Sequence, residues 1–248
     1  MEGIMKTIAI ANQKGGTAKT TSTATLGLLL SRQGTPVHLV DMDPQASLSR
    51  AFGVIDETDR LYNSLTDRAG LPVVGIAHNL TISPSTIELF RAETELLSEP
   101  GREFFLKTCL AKTRLPENAV VLIDCPPSLG VLAVNCLTAA GGLITVVQPG
   151  GFELHALVHL QITLDAIQQR VNPDLHVLGA IITNAHHRRS ITGQVMQEVS
   201  RIYAVLGTIR TDARLLYATS SGTLHRLKNS KALEDYSAVI AKLQTVLP

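Results

Sequence analysis

The sequence predicts an α/β fold, doubly wound about a mainly parallel sheet, on three observations. Short apolar runs alternate with longer stretches of helical period, the pattern of strand–helix–strand units. The runs are aliphatic: 45% of the 248 residues are hydrophobic, yet aromatics are only 4% and Trp is absent, as suits strands covered on both faces. The first apolar run also feeds straight through a glycine-bearing loop into a helical segment.

Taken in order, the expected strands are Thr7–Asn12, Val37–Asp41, Asn79–Ser83, Ala119–Asp124, Leu143–Val147, His176–Thr183 and Gly207–Arg210. Between them the helical period predicts helices over Thr20–Gln33, Ile87–Leu97, Glu103–Lys112, Leu132–Ala140, Leu154–Arg170 and Thr192–Ala204, with a last one over Lys231–Val246. No repeat or low-complexity linker interrupts this alternation, so residues 1–248 read as a single domain. The polar stretch Asp56–Gly75 reads as a loop-rich surface excursion.

Net charge is +1, which argues against a generally polycationic surface. It is unevenly spread: residues 184–248 carry +5 and the remainder −4, which on charge alone reads first as a solvated face and second as a surface for an anionic partner. Cys109, Cys125 and Cys136 have no CxxC spacing and no disulfide framework, consistent with a reduced, cytoplasmic protein. The N-terminal residues lack a signal-peptide pattern, and no apolar run is long enough to span a membrane.

The chemistry begins after Thr7–Asn12, in Gln13-Lys14-Gly15-Gly16-Thr17-Ala18-Lys19-Thr20-Thr21. Glycines at a strand-to-helix junction let backbone N–H groups approach phosphates, and the helix N-terminus adds positive potential. Lys19 is placed to meet the β- and γ-phosphates of a nucleotide, and the Thr20 hydroxyl to meet Mg²⁺. Thr17, Ala18 and Thr21 complete the expected cradle. Gln13 and Ala18 break the common GxxxxGK[ST] pattern; the residues fit KGGxxK[ST]T instead. Two further segments supply acid groups. Val37–Asp41 leads into Asp41-Met42-Asp43-Pro44-Gln45, and alternation puts both aspartates on one side at the carboxyl edge of the sheet. Ala119–Asp124 is a buried-type strand delivering Asp124, an oxygen ligand suited to Mg²⁺.

The lysine pair Lys14 and Lys19, the Asp-x-Asp-Pro-Gln run and the Asp124 strand together resemble the ParA/MinD superfamily of P-loop ATPases with a deviant Walker A motif, and the ParA/Soj partition proteins most of all. The resemblance implies ATP and Mg²⁺ as cofactors, Mg-dependent hydrolysis and an ATP-bound homodimer. It assigns Lys14 to the partner subunit's ATP, Lys19 to phosphate binding and catalysis, and Asp43 to orienting the attacking water. Asp124, Thr20 and Asp41 fall to the metal, and Asn184, at a strand end, to the adenine. Arg188 and Arg214 align with arginines that hold duplex DNA without sequence preference, which implies a nucleoid-associated protein working with a ParB-like adaptor on plasmid, chromosome or other large cargo.

Three features depart from the family. Ala18 stands where Gly is usual, and would be strained if the position needs φ > 0. Arg210, Thr211 and Tyr217 replace the family's Pro, Arg and Glu. Around Gly150–Ala156 the family's usual acidic and aromatic residues are altered as well. Because the loop begins at residue 14, no room is expected for an N-terminal helix-turn-helix domain. A MinD-like membrane ATPase is the alternative reading, but residues 240–248 hold one basic residue, Lys242, and read as a docked helix rather than a membrane anchor.

Overall fold

A computed structural model describes residues 6–149, 153–185 and 190–246. Its strands are β1 (Lys6–Ala11), β2 (Val37–Asp41), β3 (Val74–Ala77), β4 (Leu80–Ser83), β5 (Val120–Asp124), β6 (Gly142–Val147), β7 (His176–Ala185) and β8 (Val205–Arg210). They form one sheet in the order β3-β4-β2-β5-β1-β6-β7-β8. Every neighbouring pair is parallel except β3 with β4, which is antiparallel. The fold is the doubly wound α/β arrangement that the alternation predicts.

The helices are α1 (Lys19–Arg32), α2 (Ser47–Ala51), α3 (Arg60–Asp67), α4 (Leu89–Glu95), α5 (Phe105–Lys112), α6 (Val131–Ala139), α7 (Glu153–Arg170), α8 (Ser190–Ser200), α9 (Ala213–Ser220) and α10 (Lys231–Val246). β2, β5 and β6 are buried along their whole length. One face of the sheet packs with α1 and α10 around Leu26, Leu39, Ile144 and Tyr236. The other packs with α5, α6 and α7 around Val40, Ile123, Leu137 and Leu164. Two aliphatic layers on one sheet explain why the apolar runs show no polar face.

Four elements escape the sequence reading. Residues 56–75 are not merely a surface excursion, because α3 lies within them and buries Leu61 and Leu65. That spacing of four was a helical signal, hidden by the polar residues around it. β3 and α2 are only 4 and 5 residues long, too short for a period to show. α9 is capped by Asp212, whose carboxylate accepts from the Arg214 and Leu215 amides, a start signal that could have been read.

The fold positions ligands in the usual way for such a sheet. β1, β5 and β6 lie side by side at its centre, so the loops leaving their carboxyl ends converge at one edge.

Candidate active site

The loop from β1 to α1 is held by side chains rather than by a helix cap. Asn12 donates from Nδ2 to the Val146 carbonyl at 2.6 Å and accepts the Lys14 amide on Oδ1 at 3.1 Å. Thr183 of β7 donates to the Thr17 carbonyl at 2.9 Å. Gly16 has φ +76, and a Cβ built on Gly15 or Gly16 would meet nothing within 4 Å, so the backbone here faces open space. Ala18, at the N-cap of α1, has φ 69 and no side-chain cap bond. The position does require the left-handed region, and Ala occupies it against its preference.

One cavity of about 410 Å³ collects most of the expected site. Gly15, Gly16, Thr17, Ala18, Lys19, Thr20 and Thr21 form one end, with Asp43 beside them. Asn184 lines it as well, joined by Thr183, Arg210, Asp212 and Tyr236. Asn184 has φ 49, a conformation its short amide side chain tolerates better than most residues. An uncapped helix N-terminus opening into such a cavity is an anion site by construction.

Lys19 is buried and donates from Nζ to the Lys14 carbonyl at 3.3 Å. Burial lowers its pKa, while Asp124, Cys125 and Asp43 pull it back up. Lys14 lends this loop its backbone, but it is not among the residues lining the cavity.

The two aspartates of the Asp-x-Asp run part company. β2 ends at Asp41, so strand alternation no longer governs Asp43. Asp43 is half-buried and lines the cavity, whereas Asp41 is fully buried. Asp41 Oδ2 accepts from the Ser49 amide at 2.8 Å and the Ser49 hydroxyl at 2.6 Å, and Oδ1 accepts the Asp43 amide at 3.3 Å. Burial pushes its pKa up to about 7 despite those bonds.

Asp124, also fully buried, is pushed well above the carboxylate range by burial and then by Asp41; the nearby Thr20 hydroxyl and Lys19 act against that rise. Its Oδ1 accepts from Thr23 at 3.4 Å, and among the described residues its Oδ2 has no hydrogen-bond partner. An orphaned carboxylate oxygen beside a threonine hydroxyl is the hard donor set that Mg²⁺ takes. The residues present therefore fit the ion.

Arg188 lies outside the described residues. Arg214 is exposed on α9, away from the main cavity, in a groove of about 440 Å³ with Tyr217, Arg226 and Leu227. A neighbouring groove adds Lys231 beside Arg214. Arg226 and Lys231 went unremarked in the sequence because only the fold brings them to α9. Arg210, likewise unassigned there, is clamped to α10: Nε donates to Asp235 Oδ2 at 2.9 Å and Nη2 to Oδ1 at 2.7 Å.

Comparison with known proteins names this arrangement. The AAA domain family matches residues 5–177. The sporulation initiation inhibitor protein Soj of Bacillus subtilis is 37% identical over 203 residues, covering 80% of each chain. The chain belongs to the ParA/Soj family of ATPases. The cobyrinic acid a,c-diamide synthase of Mycobacterium smegmatis, solved with a bound ATP analogue and magnesium, is 34% identical with a TM-score of 0.81, covering 94% of this chain and 91% of that one. An uncharacterized protein of Mycobacterium tuberculosis is 41% identical over 79% of this chain, which spans 64% of that relative's length. The Mycobacterium smegmatis synthase has also been solved with bound ADP and magnesium.

Proposed function

We propose that this ParA/Soj chain is a Mg-dependent ATPase that dimerises on ATP, binds duplex DNA without sequence preference and positions plasmid, chromosome or other large cargo with a ParB-like adaptor. One observation carries the reading. A single cavity brings together the phosphate loop Gly15–Thr21, Asp43 and Asn184.

In this reading the loop amides and Lys19 hold the phosphates, and Thr20 and Asp124 hold Mg²⁺. The ion, when bound, neutralises charge on the phosphate oxygens. Asp43 orients the attacking water at the cavity wall, and Asn184 meets the base with one donor and one acceptor. Lys14 serves the partner subunit's nucleotide. Arg214, with Arg226 and Lys231 nearby, offers the phosphate-binding face, and the dimer doubles it.

One other reading fits less well. A membrane ATPase needs a free apolar helix face, and α10 does not supply one, since it buries Tyr236, Val239, Ile240 and Leu243.

The deciding experiment titrates duplex DNA with ATP, with ADP and without nucleotide. Affinity that appears only with ATP supports the proposal. Protein that dimerises with ATP yet ignores DNA at low salt defeats its DNA half.

A further inference from the structure

Asp43 hangs from a closed ring of hydrogen bonds that its own strand does not supply. Its amide donates to Asp41 Oδ1 at 3.3 Å. The Asp41 Oδ2 accepts the Ser49 hydroxyl at 2.6 Å, and that hydroxyl accepts the Ser85 amide at 3.0 Å. The Ser85 hydroxyl then donates to the Asp43 carbonyl at 2.7 Å, closing the circuit. Asp41, Ser49 and Ser85 are buried at 0%, 1% and 3% exposure, so water cannot substitute for the two bonds that Ser49 makes, to Asp41 and to the Ser85 amide.

The ring joins three elements. Asp41 ends β2, Ser49 lies in α2, and Ser85 follows β4. Between Asp43 and α2 the chain turns through Ala46 at φ 52, with no side-chain cap. A non-glycine residue in the left-handed region persists only where its surroundings over-determine it. The ring adds to that determination by gripping Asp43 at both its N–H and its C=O, beside the local bonds from the Ala46 amide to the Asp43 carbonyl at 2.8 Å and from the Gln45 amide to Asp43 Oδ1 at 2.9 Å.

We propose that Ser49 and Ser85 are positioning residues for ATP hydrolysis: Ser49 through Asp41, and Ser85 directly, hold the Asp43 backbone so that its carboxylate faces the nucleotide cavity. This rests on the reading of Asp43 as the water-orienting group. Neither serine lines the cavity, so both act through Asp43 rather than on the nucleotide.

The test uses Ser49→Ala, Ser85→Ala and Ser49→Thr in the full chain, with three readouts. In nucleotide-free protein, hydrogen–deuterium exchange of residues 42–48 should rise in both alanine variants while β5 stays protected. With MgATP, kcat should fall by about ten-fold, short of the roughly 100-fold that a full 1 Å misplacement can cost. The Kd for a non-hydrolysable ATP analogue should change by less than about two-fold, because the phosphate loop is untouched. Ser49→Thr, which keeps the hydroxyl, should recover kcat.

Wild-type exchange and wild-type kcat in both alanine variants would overturn the proposal. So would a uniform rise in exchange across β2, α2 and β5 with kcat and affinity lost together, since that pattern belongs to packing alone. If the folded wild type bound ATP but did not hydrolyse it, the proposed function would fall, while the exchange of 42–48 would still decide whether the ring holds the loop.

Discussion

Asp41 and Asp124 are register partners on the adjacent parallel strands β2 and β5, and both are fully buried. Side chains paired across parallel strands share one face of the sheet. Two carboxylates therefore stand together in a site where water does not reach; burial raises both, and Asp41 adds to the cost of ionising Asp124.

This pair predicts an unusual pH dependence for the nucleotide-free protein. Asp41 holds a proton up to about pH 7, and Asp124 is raised well above the carboxylate range. The unfolded chain releases those protons near pH 4. The folded state thus binds more protons in that window, and stability falls as pH rises from about 4 to 7. Buried His38 works the other way: its pKa is lowered to about 4, so it favours folding as pH rises to about 6.5. His225 is also lowered, by burial and then by Arg226, but the two carboxylates are displaced further than the two imidazoles and leave the net slope negative. Urea melts at pH 5 and 7.5 should show the loss, and MgADP should reduce it by supplying positive charge. Stability that rises across this interval without ligand would refute the assignment of buried, proton-holding carboxylates.

Ala18→Gly should stabilise the chain slightly. A left-handed alanine costs roughly 1–2 kcal/mol, and glycine returns about 0.5–1 kcal/mol of that through unfolded-state entropy. The expected net gain is about 0.5 kcal/mol, with nucleotide affinity undiminished. Denaturant melts of the two proteins measure it, and a destabilised glycine variant would mean that the Ala18 methyl makes contacts outweighing its strain.

Lys19→Ala should lower ATP affinity by about 100-fold or more, since a buried charge-assisted contact to phosphate is lost. The same change removes a desolvated ammonium, so the nucleotide-free fold should tolerate it. Calorimetric titration decides: unchanged affinity would sink the phosphate-loop assignment.

Asp43→Ala should bind ATP as the wild type does but turn it over about 100-fold more slowly, because binding and water orientation are separate tasks. Lys14→Ala should leave the binding isotherm of the monomer intact and weaken ATP-dependent dimerisation. Sizing by sedimentation beside the isotherm separates the two. Loss of binding and dimerisation together would place Lys14 in its own subunit's site.

Arg214→Glu should weaken DNA binding on every sequence, since phosphate contacts carry no base information. The slope of log affinity against log salt should become shallower by about 0.9 for each phosphate contact removed. ATP-dependent dimerisation should persist. A variant that lost affinity for one sequence only would contradict the phosphate-contact reading.

Local pattern was enough to find the phosphate loop, the Asp124 strand and the long helices, because each rests on a period or a spacing within about twenty residues. The last helix was read from Lys231 to Val246 and runs so in the fold. The strain at Ala18 was legible only through the family's usual Gly there, which pointed to a left-handed position that Ala occupies at a cost. The partition of Asp41 from Asp43 was not. Alternation predicted a shared side, but the strand stops at Asp41, whose carboxylate is then held by Ser49, 8 residues further on, while the Asp43 carbonyl accepts the Ser85 hydroxyl, 42 residues on. The same holds for α9, which gathers Arg214 and Arg226 into one groove, and for Arg210, whose partner Asp235 lies 25 residues away on α10. Sequence determines what a segment can form and which groups it carries; which buried donor meets which acceptor is decided by contacts between elements, whose energies no local window contains.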